Sequence, residues 1–202
     1  MRTRRTFFGL LILAVLAGGA AFGAFYLLSS NYSQNSQNPS VAANQESTQQ
    51  AQSQATSIPE DTTLKLTVPK LSRVDNASIP DAQGDDEEML KNYAAIHLQG
   101  TGFPWEEEAN VYIAGHRLGY PGYPSFLAFY DLDNLEKGDD IFIEDANGKK
   151  YTYKVSDIIE AEPTDIDLIE PVPGKNIVTL QTCTLPDYAK RLLVRGELVD
   201  NA

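Results

Sequence analysis

The sequence predicts a mainly β domain, closed or nearly closed into a barrel and carrying one or two short helices, behind a single membrane-spanning helix. Three observations predict it. Short runs of β-branched and aromatic residues recur between Leu64 and Val194, separated by Gly, Pro, Asn and Asp, the pattern of a small antiparallel or mixed barrel. Asn147-Gly148 stands between two such runs, the strongest short-range signal for a hairpin. Finally, Phe7–Leu28 is apolar and free of charge.

About 20 apolar residues cross a hydrocarbon core of roughly 30 Å, so Phe7–Leu28 reads as an uncleaved anchor. A cleaved signal peptide has a shorter apolar core and its small residues after that core, whereas Gly18–Ala21 lie inside the run. Arg2, Arg4 and Arg5 precede it, and the next basic residue is Lys65. The positive-inside rule therefore places residues 1–6 in the cytoplasm and the rest of the chain outside. Ser29–Ser57 is dominated by Ser, Asn, Gln and Thr, a composition that builds no core and serves as a tether. Residues 58–202 remain as the working domain.

Within that domain Leu64–Val68 alternates apolar and polar residues until Pro69 ends it, and Val111–Ala114 is a short apolar run ending at Gly115. Ile141–Ile143 and Tyr151–Val155 are the arms of the predicted hairpin. Ile177–Leu180 and Leu192–Val194 have strand composition. Helical signals are confined to Asp86–Tyr93 and Ser125–Leu135. No glycine-rich phosphate loop and no repeat occurs.

Lys and Arg number 16 against 28 Asp and Glu, for a net charge of −12, the opposite of the basic footprint that nucleic acid requires. One cysteine rules out an intrachain disulfide, and with two histidines it leaves too few ligands for a zinc cage. Three positions could carry chemistry. Cys183 ends a predicted strand and opens into Thr184–Tyr188, where a scaffold holds a side chain rigid yet accessible. A lone cysteine can equally be a small buried hydrophobe, but an unpaired thiol in an exported chain marks a candidate nucleophile. His116 directly follows Val111–Ala114 and reads either as a surface-loop histidine or as a proton carrier. His97, between apolar neighbours, reads as structural. Arg191 and Arg195 share one strand face, and either could donate to an oxyanion.

Together these residues resemble the sortases, membrane-anchored cysteine transpeptidases of Gram-positive bacteria. The resemblance rests on Thr179-Leu180-Gln181-Thr182-Cys183, the downstream Arg191-Leu192-Leu193-Val194 and the upstream Ile113-Ala114-Gly115-His116. It extends through Val68–Leu71 and Phe129–Asp139 over essentially all of residues 62–199. It implies an eight-stranded sortase barrel in which Cys183, His116 and Arg191 are catalytic and Thr182 adds a hydrogen bond beside the oxyanion. Cys183 would cleave an LPxTG- or LAxTG-like sorting signal after threonine through a thioacyl-enzyme. An amine acceptor, such as a peptidoglycan precursor, would then receive the surface protein.

No cofactor is implied, although some sortases are stimulated by calcium. Asp85–Glu88, Glu106–Glu108 and Glu160, Glu162, Asp165, Asp167 and Glu170 offer carboxylates for it, or simply a solvated acidic surface. The absence of a second apolar segment near the C-terminus and the long Arg117–Ser125 loop place the chain nearer a housekeeping or class E-like enzyme than a pilin polymerase. With no Asp-Pro-aromatic lid triplet, an unblocked site is expected. Two rivals stand beside this reading: a tethered β-domain that binds a wall component with Cys183 merely buried, and a thiol peptidase that releases the peptide to water.

Overall fold

Alternation at Leu64–Thr67 produces the first strand, β1, with Leu64 and Leu66 inward and Lys65 outward. The computed structural model describes residues 58–201. The basic tip 1–6, the apolar stretch 7–28 and the tether 29–57 lie outside the described residues. Among the described residues no helix is long and apolar enough to cross a membrane.

After β1 the chain forms β2 (Ala77–Ile79), β3 (Asp81–Ala82), helix α1 (Glu87–Asn92), β4 (Ile96–Leu98) and β5 (Ala109–Ala114). It continues through β6 (Asp140–Glu144), β7 (Lys150–Ala161), β8 (Asn176–Cys183) and β9 (Arg191–Asp200). These are the elements of one nine-stranded sheet, in the order β2-β1-β6-β7-β9-β8-β5-β4-β3. Nine strands replace the eight expected, and Pro80 is the reason. It separates β2 from β3 because proline has no N–H to continue a ladder, while its carbonyl accepts from His97 N at 2.9 Å. β2 and β3 are consecutive in the chain but occupy opposite ends of the sheet order, so the segment through Pro80 joins the two edges into a barrel-like closure.

The predicted hairpin forms between β6 and β7, with Gly148 at φ 82° and Asp145 Oδ1 accepting from the Asn147 and Lys149 amides at 2.9 and 3.0 Å. Only part of the second expected helix forms, as a 3₁₀ turn at Leu132–Asn134. Leu127 sits at φ 57°, outside helical space, and its amide donates to Leu118 O at 2.9 Å. The segment therefore runs as successive turns, with Ala128 N donating to Ser125 O at 3.2 Å and Tyr130 N to Leu127 O at 3.4 Å, pinned at Leu127 to the loop after β5.

One core fills the barrel: Leu64 and Leu66 from β1, Ile141 and Ile143 from β6, Tyr151, Tyr153 and Val155 from β7, and Val111, Ile113, Val178 and Leu180 from β5 and β8. Burying two tyrosines there requires partners for their hydroxyls. Tyr151 donates to Asp145 Oδ2 at 3.1 Å and Tyr153 to Asn176 Oδ1 at 2.8 Å. Burial pushes both phenols far above their ordinary range, so each remains a donor. Asn176, the first residue of β8, also donates to Pro104 O and Glu106 O at 3.1 and 2.7 Å, which fixes where β8 begins.

Replacing Tyr153 by Phe leaves Asn176 Oδ1 buried without its donor, and we expect a loss of about 1–3 kcal/mol of unfolding free energy. Urea denaturation should show a lower midpoint at an unchanged slope.

Candidate active site

β5 and β8 run parallel, paired from Ala109↔Asn176 through Ala114↔Gln181. Both are buried along almost their full length, as parallel strands are when both faces are covered. His116 lies two residues beyond Ala114 and Cys183 two residues beyond Gln181. The register thus carries both to the same level at the C-terminal ends of neighbouring strands, which lie about 4.8 Å apart. Two bonds extend the alignment past the ladder: Gly115 N to Gln181 O at 3.0 Å, and Thr182 Oγ1 to Gly115 O at 2.8 Å. Gly115 has no room for a side chain, since a Cβ would stand 3.0 Å from both Ala94 O and Phe129 Cδ2.

On the other side of β8, Cys183 pairs with Arg191 across the antiparallel β8–β9 ladder. Directly opposed residues project to the same face. The loop between them is pinned by Thr184 N to Lys190 O at 3.0 Å and Tyr188 N to Thr184 O at 3.1 Å. His116, Cys183 and Arg191 therefore stand in a row across β5, β8 and β9. Cys183 is half-buried, and with His116, Tyr188 and the loop Arg117–Tyr120 it lines a cavity of about 220 Å³. Arg191 stands beside that cavity rather than in its wall, its Nη1 donating to Tyr188 O at 3.4 Å and Lys190 O at 3.3 Å.

Arg195, which strand periodicity does not separate from Arg191, pairs with Thr179, four residues down the ladder. That is about 13 Å from Cys183 along a strand. Its Nη2 donates to Leu168 O at 2.8 Å, Asn110 Nδ2 donates to the same carbonyl at 3.0 Å, and Asn110 Oδ1 accepts from Thr179 Oγ1 at 2.7 Å. This network holds the 3₁₀ turn Ile166–Ile169 against the sheet. His97 is fully buried, with Nδ1 2.8 Å from Asp81 Oδ1 and Nε2 3.0 Å from Gly102 O; it ties β4 to β3 and to the following turn.

Residues 66–199 match the family profile described as Sortase domain. The chain belongs to the sortase family. Sortases are cysteine transpeptidases, and Cys183 is the one cysteine of this chain. The chain is 34% identical to Sortase A of Streptococcus agalactiae over 90 residues, covering 44% of this chain and 36% of that protein. It is 31% identical to Sortase SrtE1 of Streptomyces coelicolor over 151 residues, 67% of this chain and 40% of that one. The matched segments thus span about two fifths of these relatives. Among solved structures, Sortase A from Corynebacterium diphtheriae (lid mutant) superposes with a TM-score of 0.58 at 30% identity, covering 69% of this chain and 70% of that one. Sortase C1 from S. agalactiae gives 0.56 at 34% identity, covering 68% and 67%.

One expectation for this sortase is revised. Strand alternation turns Thr182 to the face opposite Cys183, and its buried hydroxyl is committed to Gly115 O. It fixes the His116 loop instead of donating beside an oxyanion. The acidic loop residues do not gather around a point: Glu160 pairs with Lys190 at 2.8 Å and Asp165 Oδ2 accepts from Glu162 N at 2.9 Å. Among the described residues no three His, Cys, Asp or Glu side chains are placed to hold a metal ion.

The sequence reading also missed three neighbours of the thiol and histidine. Tyr188 and Arg117 both line the cavity, and Arg117, 7% exposed, is locked to Asp133 at 2.7 Å. Glu87 approaches His116 Nε2 to 3.1 Å. The adjacency of Arg117 to His116 was visible in the sequence; the Glu87 contact joins residues 29 positions apart and was not.

The two arginines should separate in stability. Arg195→Ala should lower unfolding free energy by about 1.5 kcal/mol, the scale of a hydrogen bond from a charged group, and Arg191→Ala by less than about 0.5 kcal/mol. Urea melts of the two variants check the ranking.

Proposed function

We propose that this sortase cleaves an LPxTG- or LAxTG-like sorting signal after its threonine and transfers the severed protein to an amine. The observation that carries the reading is the row His116–Cys183–Arg191 across three neighbouring strands, with the thiol half-buried at a cavity. The thiol of Cys183 passes its proton to His116, its sulfur attacks the threonine carbonyl carbon, and the C–O π electrons move to oxygen. As the tetrahedral species collapses, the C–N bond breaks and His116 delivers a proton to the departing amine. The acyl group remains on sulfur as a thioester. An incoming amine passes its proton to His116, attacks the thioester and expels the Cys183 thiolate, so the proton inventory closes over one cycle. Arg191, projecting from the cross-strand position, donates to the oxyanion or to the substrate backbone.

Substrates in this reading are surface proteins that carry a C-terminal sorting signal, and the acceptor is an amine such as a peptidoglycan precursor. The apolar stretch 7–28, with its basic residues on the N-terminal side alone, supports a single-pass anchor with a cytoplasmic N-terminus and the catalytic domain outside. The long Gly-, Pro- and Tyr-containing loop after His116 supports a housekeeping or class E-like subclass. The chemistry asks for no cofactor.

Incubating the protein with LPETG and LAETG peptides, with and without a glycine-based amine, tests the reading by mass spectrometry. A thioacyl adduct on Cys183 and amine-dependent ligation are expected. Cleavage that an amine never diverts would instead identify a thiol peptidase, and no adduct on an inert thiol a binding domain. Cys183→Ala should lose turnover while keeping its fold. Arg191→Ala should lose at least about 100-fold in kcat/KM, the scale of one oxyanion donor, with Arg195→Ala much closer to the parent enzyme. Removing calcium with a chelator should leave turnover within about twofold, because among the described residues no three carboxylates are placed together to hold the ion; strong inhibition reversed by calcium would contradict this.

A further inference from the structure

Helix α1 contributes a carboxylate that the cysteine–histidine–arginine reading leaves unused. Asp86 caps the helix by accepting from Met89 N at 3.1 Å. Leu90 anchors it in a small cluster with Ala82 and Ile96, against which Met89 and Ala114 also pack. Ala114 is the last residue of β5, two before His116, so the helix and the histidine hang from the same apolar contact. Glu87, the first residue of α1, reaches back over that contact. Its Oε1 lies 3.1 Å from His116 Nε2 and accepts the hydroxyl proton of Tyr120 as well.

We propose that Glu87 is a positioning residue, which with Tyr120 fixes the His116 imidazole so that proton exchange takes place at Nδ1. This rests on His116 being the proton carrier of the proposed transpeptidation. A carboxylate oxygen can only accept, so the nitrogen facing it carries a proton. In the neutral ring the lone pair is then on Nδ1, the atom left to take a proton from an amine. Tyr120 braces the arrangement from the loop after His116, its ring edge-on to the imidazole at 5.6 Å. The Glu87 carboxylate holds the Tyr120 phenol above its ordinary range, so that hydroxyl persists as a donor. Lys91, one turn after Glu87 on the same face of α1, sets its ammonium over the rings of Tyr120 and Tyr123 at 5.5 and 4.2 Å. The helix thus grips the tyrosine at its hydroxyl and at its ring.

Full-length Glu87→Ala, Glu87→Gln and Glu88→Ala variants test the proposal through single-turnover thioacylation by an LPETG peptide and through the ¹⁵N shifts of the His116 ring. Glu87→Ala should lower the acylation rate about tenfold, the value of one charge-assisted hydrogen bond, with KM changed less than about twofold. Glu87→Gln, whose amide oxygen still accepts from Nε2–H, should recover most of that rate. Glu88, exposed in the same turn, should be neutral on substitution. The parent protein should show the Nε2–H tautomer and Glu87→Ala a mixture. Unchanged rate and tautomer in Glu87→Ala, in a protein that still acylates Cys183, would overturn the positioning role and leave the transpeptidase reading standing. A parent protein with the Nε2–H tautomer but no thioacyl adduct would overturn that reading, and the catalytic part of this one with it.

Discussion

The parallel pairing of β5 with β8 is the constraint on which the site depends. Its register puts the ends of the two strands side by side, and the bond from Thr182 Oγ1 to Gly115 O carries the alignment one residue past the ladder. A slip of one residue would turn Cys183 to the opposite face of the sheet. What prevents it is burial on both sides: Val111, Ile113, Val178 and Leu180 face the main core, while Tyr112 packs outward with Ala161 and Leu193. Tyr112 adds a polar check, since burial raises its phenol to about 12 and keeps it a donor toward Gln181 Oε1 at 3.4 Å. Core packing and site geometry are thus one problem solved by the same strands.

From that pairing the rest of the molecule follows as support. β9 lies against β8 and supplies Arg191 opposite the thiol, while Arg195 on the same face is spent on holding the turn at Ile166–Ile169. Two residues of one type, four apart, have divergent surroundings because one is at the loop end of the hairpin and the other is mid-strand over a carbonyl. On the far side, Gly115 lets the chain leave β5 against Ala94 and Phe129, and Arg117 clamps the outgoing loop to Asp133. The imidazole between them is approached from α1 by a carboxylate that shares its oxygen with a loop tyrosine.

Much of this was legible in the sequence where a signal is local. Alternation gave β1, Asn-Gly gave the β6–β7 hairpin, and the apolar runs gave β5, β8 and β9, with Cys183 and His116 at strand ends. The short strands β2, β3 and β4 escaped because two or three residues carry no measurable period, and because Pro80 divides what would otherwise be one strand. The helix expected near Ser125–Leu135 has helical composition, but long-range contacts, Leu127 to Leu118 and Asp133 to Arg117, override it. The resemblance to sortases implied a hydrogen bond from Thr182 beside the oxyanion, whereas its hydroxyl lies on the other face, bonded to Gly115 O. Periodicity leaves Arg191 and Arg195 on one face; the resemblance singled out Arg191, and the ladder pairs that residue with Cys183.

An isotope-edited NOE experiment can read out the row of side chains set by the β5–β8–β9 register. Cys183 is converted to its ¹³C-methyl disulfide with methyl methanethiosulfonate, giving one reporter at the only thiol in the chain. The account predicts NOEs from that methyl to the His116 ring and to the Arg191 side chain, and none to Arg195 or His97. Contacts to Arg195, or a methyl that sees neither His116 nor Arg191, would contradict it.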